Sequence, residues 1–178
     1  MTEDVVLGLG SNLGDRRGNL AAAVRALGEK VAVTAVSSIY ESPAVIFEEQ
    51  PDFLNLVLVG RTALAPTDLL RFIHGIERAA GRVRSFRGAP RSIDIDILLF
   101  GDRSIHDEGL VIPHPAWKER AFVLAPMAEV VPGRVDPESG KTVQELWRAS
   151  APLPAEVRRV FPPPYPEDPS SVPSEENS

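Results

Sequence analysis

The stretch SIDIDILLF, Ser92 to Phe100, organises the reading of this 178-residue chain. Six of its nine residues are Ile, Leu or Phe, which predicts a strand built for the interior, yet Asp94 and Asp96 interrupt it. A strand sends alternate side chains to opposite sides, so the two aspartates project together while Ile93, Ile95 and Ile97 point the other way. Two like charges side by side on a half-buried sheet repel and resist desolvation. A divalent cation would offset that cost; a wet sheet face, or pairing with nearby arginines, would do so too. The spacing alone leaves these three open.

Immediately upstream, Arg78, Arg82, Arg84, Arg87 and Arg91 occur with no acidic residue among them, and Gly81, Gly88 and Pro90 break regular structure. This predicts a flexible loop whose only charges are guanidinium groups. Guanidinium forks match phosphate oxygens, and paired carboxylates hold Mg²⁺ that in turn bridges phosphates. A cationic loop beside such acids points to a polyphosphate ligand, with a basic loop salt-bridged to Asp94 and Asp96 as the alternative.

Composition narrows the class. At 178 residues and 43% hydrophobic content the chain can bury one good core and is too short for two sizeable domains. The net charge is −6, of which −4 comes from Glu167, Asp168, Glu175 and Glu176 in a Pro- and Ser-rich tail. A near-neutral body argues against general nucleic-acid binding. There is no cysteine, so disulfides and thiolate metal sites are excluded. No apolar run reaches membrane-spanning length and none after Met1 suits a secretory signal, so the expectation is a cytoplasmic, monomeric protein without a membrane partner.

Outward from the aspartates, residues 5–9 read as a buried first strand, and GLGSNLGD at 8–15 as a glycine-rich strand-to-helix turn. Its spacing is wrong for a dinucleotide fingerprint. Leu20, Val24 and Leu27 mark a helix ending at Gly28, and residues 31–40 a second strand. After a loop over 41–52, a third strand at 53–59 puts Phe53, Asn55, Val57 and Val59 on one face. Asn55 beside an aromatic ring is one way to read the edge of a flat heterocycle; a loop-satisfied amide at a sheet edge is the other. Pro66 opens a helix with Leu69, Ile73, Ile76 and Ala80 on its apolar stripe and His74 and Glu77 beside it. The order strand, helix, strand, strand, helix, strand predicts an α+β fold with a ferredoxin-like βαββαβ core, its sheet antiparallel and its helices on one face. His114, held extended between Pro113 and Pro115, then Arg120 and Phe122 on a short helix, and a last helix at 142–148 add C-terminal helical pieces. The expected domain is 1–161, followed by a disordered tail, 162–178.

Six segments, LGSNLGD at 9–15, YESP at 40–43, QPDFLN at 50–55, IERAAGRVR at 76–84, APRSIDIDILLFGD at 89–102 and IPHPAWKERAFVLAP at 112–126, together resemble the 6-hydroxymethyl-7,8-dihydropterin pyrophosphokinase family. The resemblance implies transfer of diphosphate from ATP to the pterin hydroxymethyl group, releasing AMP, in folate biosynthesis. It implies two Mg²⁺ ions on Asp94 and Asp96, and catalytic arginines Arg82, Arg84 and Arg91. The pterin would be bound by Ser42, Pro43, Val45, Phe53, Asn55 and Phe122. ATP would be bound by His74, Glu77, Arg82, Arg84, Arg87, Arg91, His114 and Arg120. Ala89, Gly109 and Val111 depart from residues common in the family at those places. The rival readings are another Mg²⁺-dependent nucleotide phosphotransferase or hydrolase, and a non-catalytic ferredoxin-like RNA-binding module. The second needs exposed aromatics where the central strand offers carboxylates.

Overall fold

The structure, a computed structural model, describes residues 1–44, 50–81, 91–150 and 157–164. Val45, Arg82, Arg84 and Arg87, the rest of the arginine loop, and the tail from 165 onward lie outside the described residues.

The chain runs β1 (Glu3–Ser11), α1 (Arg16–Leu27), β2 (Val31–Val36), β3 (Ile39–Ser42), β4 (Phe53–Thr62), α2 (Pro66–Ala79) and β5 (Asp94–Phe100). A small hairpin of β6 (Ile105–Asp107) and β7 (Leu110–Ile112) follows, then a 3-10 turn (Trp117–Glu119), α3 (Ala121–Val130), α4 (Val143–Ala149) and β8 (Arg158–Phe161). The main sheet has the order β5-β1-β4-β3-β8, with β2 also on β4, and every pairing is antiparallel. With β1 between β4 and β5, this is the ferredoxin-like arrangement expected from the element order.

Strand alternation sorts the sheet into two faces. Val5, Leu7 and Leu9 of β1, Leu54, Leu56 and Leu58 of β4, and Ile95 and Ile97 of β5 form one core with Leu20, Val24 and Leu27 of α1 and Leu69 and Ile73 of α2. Burying each such side chain contributes roughly 1.5–3 kcal/mol, so this face dominates stability. Local signals frame its helices: the Asp15 carboxylate accepts from the Gly18 N–H at 3.0 Å, and Pro66 sits in the first turn of α2.

The opposite face carries the later helices. Val6, Val57, Leu98 and Leu99 pack with Trp117, with Val123, Leu124 and Met127 of α3, and with Val143 of α4. Leu98 and Leu99 both reach this core because β5 bulges: Val6 pairs with Leu99 while its neighbour Leu7 pairs with Ile97. Helix α4 starts at a capping box in which Thr142 and Glu145 exchange side-chain and backbone hydrogen bonds.

Three expectations are corrected. The second strand is two strands, broken at Ser37 and Ser38, and β3 takes in Glu41 and Ser42, which open the expected loop. The break is stable because the Ser37 hydroxyl accepts from the Val57 N–H at 2.9 Å, replacing a ladder bond. Gly8 and Gly10 belong to β1 and not to the turn, where only Gly14, at φ 68°, has the left-handed conformation. The C-terminal additions include a strand: β8 pairs with β3, Arg158 bonds Glu41 at 2.8 Å, and Arg17 lies over the Phe161 ring. Among the described residues no helix is long and apolar enough to cross a membrane.

Candidate active site

Helix α3 packs on Val6, Val57, Leu98 and Leu99 of its face of the sheet. In the first row, Val6 pairs with Val59 and Leu99, and all are apolar. In the next, Gly8 lies between Val57 and Asp96; in the one beyond, Gly10 lies between Asn55 and Asp94. Two residues further along β4, Phe53 pairs with Ser42 of β3. Asp94, Asp96, Asn55, Phe53 and Ser42 therefore share one face at one end of the sheet, joined by two glycines.

Of those glycines Gly10 forms the floor, while the Leu98 side chain lies over Gly8. A Cβ on Gly10 would stand 3.3 Å from Asn55 Oδ1 and 3.5 Å from Phe53 Cδ1. Without it, the ground between the carboxylates and the amide is bare backbone. The signal was present in the sequence as glycine at alternate positions of a strand, which strips one face of side chains.

The aspartates sit in different settings. Asp94 Oδ2 accepts from Arg91 Nη1 at 2.6 Å, and both side chains are largely buried. Asp96 has no bond this short; His114 Nε2 lies 3.8 Å from its Oδ2. Burial, then the Asp94 carboxylate, push Asp96 up to about 7, against the pull of Arg120 and Arg91. With 38% of its side chain open to solvent, water moderates that push.

His114 is fixed at three points. Its N–H donates to the Leu98 carbonyl at 3.1 Å, its Nδ1 accepts from the Ala116 N–H at 3.2 Å, and its Nε2 faces Asp96. An accepting Nδ1 leaves the proton of the neutral ring on Nε2, aimed into the site. Burial, then Arg120, lower its pKa below the usual histidine value. Arg120 caps α3 and lies over the ring of Phe122 in the helix's first turn.

Asn55 is a buried amide on an interior strand, not one at a sheet edge. Its Nδ2 donates to Ser42 Oγ at 2.9 Å and, more weakly, to the Tyr40 carbonyl at 3.5 Å. Phe53 and Phe122 are both half-buried, as is His74 on α2, and Pro43 is exposed. Glu77 is 3% exposed, within the apolar stripe and not beside it. Its Oε1 accepts from the Ile95 N–H at 3.0 Å, which places it at the outer edge of β5, where its charge adds to that around Asp96.

Asn12, in the turn after β1, is a buried hub. Its N–H donates to the Arg91 carbonyl and its Oδ1 accepts from the Arg91 N–H, at 3.0 and 2.8 Å. Its Nδ2 donates to Gln50 Oε1 and the Pro51 carbonyl. One amide thus ties the end of the arginine segment to the end of the segment that follows Pro43. Among the described residues, no three His, Asp or Glu side chains converge as a complete metal cage.

The family model for 7,8-dihydro-6-hydroxymethylpterin-pyrophosphokinase matches residues 6–132. A 2-amino-4-hydroxy-6-hydroxymethyldihydropteridine pyrophosphokinase of Bacillus subtilis (strain 168) is 45% identical over 155 residues, covering 83% of this chain and 92% of that protein. The enzyme of the same name from Aquifex aeolicus (strain VF5) is 42% identical over 142 residues, covering 80% and 89%. Among solved structures, a Plasmodium falciparum HPPK-DHPS with pterin and p-hydroxybenzoate aligns at TM-score 0.67 and 19% identity. It covers 84% of this chain, which spans under half (42%) of that longer one, and at such identity it speaks to the fold alone. With 127 of 178 residues inside the family model and bacterial relatives matched over most of their length, the chain belongs to the 7,8-dihydro-6-hydroxymethylpterin-pyrophosphokinase family.

Proposed function

We propose that the polar end of the α3 face is where this ATP-dependent pyrophosphokinase brings its two substrates together. The reaction moves a pyrophosphoryl group from ATP to the hydroxymethyl oxygen of 6-hydroxymethyl-7,8-dihydropterin, leaving AMP, in folate biosynthesis. The observation that carries the assignment is the pair of strand rows in which Asp94 and Asp96 stand opposite Asn55 and Val57 across Gly10 and Gly8. Phosphate-directed and heterocycle-directed groups thereby flank one open floor.

The donor set fits Mg²⁺, which favours carboxylate oxygens and keeps several positions for water and phosphate. Two aspartates on one strand face, one holding its proton unusually tightly, suit a dication shared with a triphosphate. Asp94 and Asp96 would hold the metal, two ions in our reading, and bound there it would neutralise charge on the phosphate oxygens.

The remaining roles follow from side-chain chemistry. Phe53 and Phe122 stack on the pterin, Asn55 reads its edge with Ser42 behind it, and Pro43 and Val45 border it. Arg91, Arg120 and the Nε2–H of His114 donate to phosphate oxygens, with Arg82, Arg84 and Arg87 of the arginine segment doing the same. His74 and Glu77 lie toward the nucleoside. Phosphoryl transfer depends on alignment and charge neutralisation, so each well-aimed guanidinium is worth ~3 kcal/mol in the transition state, about a hundredfold in rate. Residues 1–161 form the catalytic domain, with 162–178 an appended tail.

The test is product analysis. Incubated with Mg²⁺, ATP and 6-hydroxymethyl-7,8-dihydropterin, the protein should form AMP and pterin diphosphate in equal amounts, and only when pterin is present. ADP as product, or equal turnover without pterin, would overturn the assignment.

A further inference from the structure

Helix α3 carries Phe122 in its first turn and Glu129 in its last, seven residues apart and so on one face of the helix. Glu129 reaches the sheet. Its Oε1 accepts from the Ser38 N–H at 2.9 Å and the Ser38 hydroxyl at 2.8 Å, and its Oε2 accepts from the Tyr40 hydroxyl at 2.7 Å. All three donors belong to the break between β2 and β3 and to the start of β3. Ser38 is fully buried there and has left the strand ladder, so its N–H depends on this carboxylate.

The same short strand runs on, along the same face, into the site. Tyr40 pairs with Asn55 and Ser42 with Phe53, and Asn55 donates to Ser42 Oγ and toward the Tyr40 carbonyl. One end of α3 therefore carries Phe122, while the other is fastened to the strand that pairs with Asn55 and Phe53. We infer that Glu129 is a positioning residue for the pterin: by clamping α3 to β3 it sets the slot between Phe122 and the Phe53, Asn55 and Ser42 group. It rests on the assignment of that slot to the pterin, and it touches neither substrate itself.

The local chemistry suits a permanent clamp. Desolvation works against the Glu129 carboxylate, but the bonds from Tyr40 and Ser38 outweigh it and hold its pKa below the usual glutamate range. A glutamine can reproduce the pattern, its carbonyl accepting from Ser38 and its amide donating to the Tyr40 oxygen, whereas alanine cannot.

The experiment measures pterin and nucleotide binding separately, by titration calorimetry with the pterin and with a non-hydrolysable ATP analogue plus Mg²⁺, alongside KM for each substrate. Glu129→Ala should weaken pterin binding and raise its KM about tenfold while the nucleotide values stay within about twofold. Glu129→Gln should restore the pterin values, and Tyr40→Phe, which removes one of the three bonds and keeps the ring, should cost about threefold. Equal losses for both substrates, or a lowered melting temperature with both affinities unchanged, would reduce Glu129 to a structural tie and overturn the inference. Should Glu129→Ala fail to fold, Tyr40→Phe decides, and unchanged pterin affinity there overturns it. Wild-type protein that binds no pterin at all would sink the substrate assignment instead.

Discussion

The two faces of the main sheet are made from the same strands and behave differently. On the side of α1 and α2 the inward positions Val5, Leu7 and Leu9 of β1, Leu54, Leu56 and Leu58 of β4, and Ile95, Ile97 and Phe100 of β5 are all apolar and buried. On the side of α3 the pattern changes along each strand: Val6 gives way to Gly8 and Gly10, Val57 to Asn55 and Phe53, and Leu98 to Asp96 and Asp94. The first face is an unbroken apolar core along the middle of every strand. The second is a core only under α3, and beyond the helix it exchanges apolar contacts for polar groups that a ligand must satisfy. Activity and stability should therefore separate by face, even between adjacent residues.

Ile95 and Asp96 give the sharpest test. Asp96→Ala should lower kcat a hundredfold or more, about 3 kcal/mol, with the apo melting temperature unchanged or slightly raised, because a carboxyl crowded by another leaves the site. Ile95→Ala should cost about 3 kcal/mol in urea unfolding while leaving kcat per folded molecule near wild type, since it opens a cavity in the other face. If Asp96→Ala destabilised the metal-free protein as much as Ile95→Ala, the distinction between the faces would fail.

A smaller effect is expected from Gly10→Ala. The new Cβ would press on Asn55 Oδ1 and the Phe53 ring, raising the pterin KM by about tenfold, or 1.4 kcal/mol, with ATP little affected. The control is Gly8→Ala, whose Cβ would meet only the flexible end of Leu98, at 3.3 Å, and should cost under about 1 kcal/mol of stability. Equal kinetic effects at the two positions would argue against Gly10 as the floor of the site.

The smallest effect is one of pH. Asp96 is raised from its ordinary value of 3.8 to about 7, so the folded protein holds this proton more tightly than the unfolded chain does. Its contribution to stability is fully present below the unfolded value and is lost as pH rises through about 7. Between those limits the melting temperature of the metal-free wild type should fall relative to Asp96→Asn, in which that titration is absent. Parallel melting curves for the two proteins would place Asp96 in an ordinary solvated setting.

Much of this arrangement was legible beforehand. The period of two in SIDIDILLF and in Phe53 to Val59 assigned Asp94, Asp96, Phe53 and Asn55 to faces correctly, because alternation is a local property of the extended chain. The split of residues 31–40 was not legible, because the break at Ser37 and Ser38 is held by Val57 and Glu129, distant in sequence. Nor was β8, four residues whose strand character comes from pairing with β3 and from Arg158 meeting Glu41. The role of Asn12 was not legible for a similar reason: its partners, Gln50, Pro51 and Arg91, come together only when the sheet closes.

By itself the sequence determined the kinds of chemistry present, the order of the elements and the side of each strand on which a residue would stand, since backbone geometry and side-chain type are carried residue by residue. Tertiary structure alone decided that the two aspartates and the Asn55 amide would meet across two glycines, and how far α3 would extend over them. Register between strands, and the reach of a helix across a sheet, depend on contacts between residues tens of positions apart, and no local pattern encodes those.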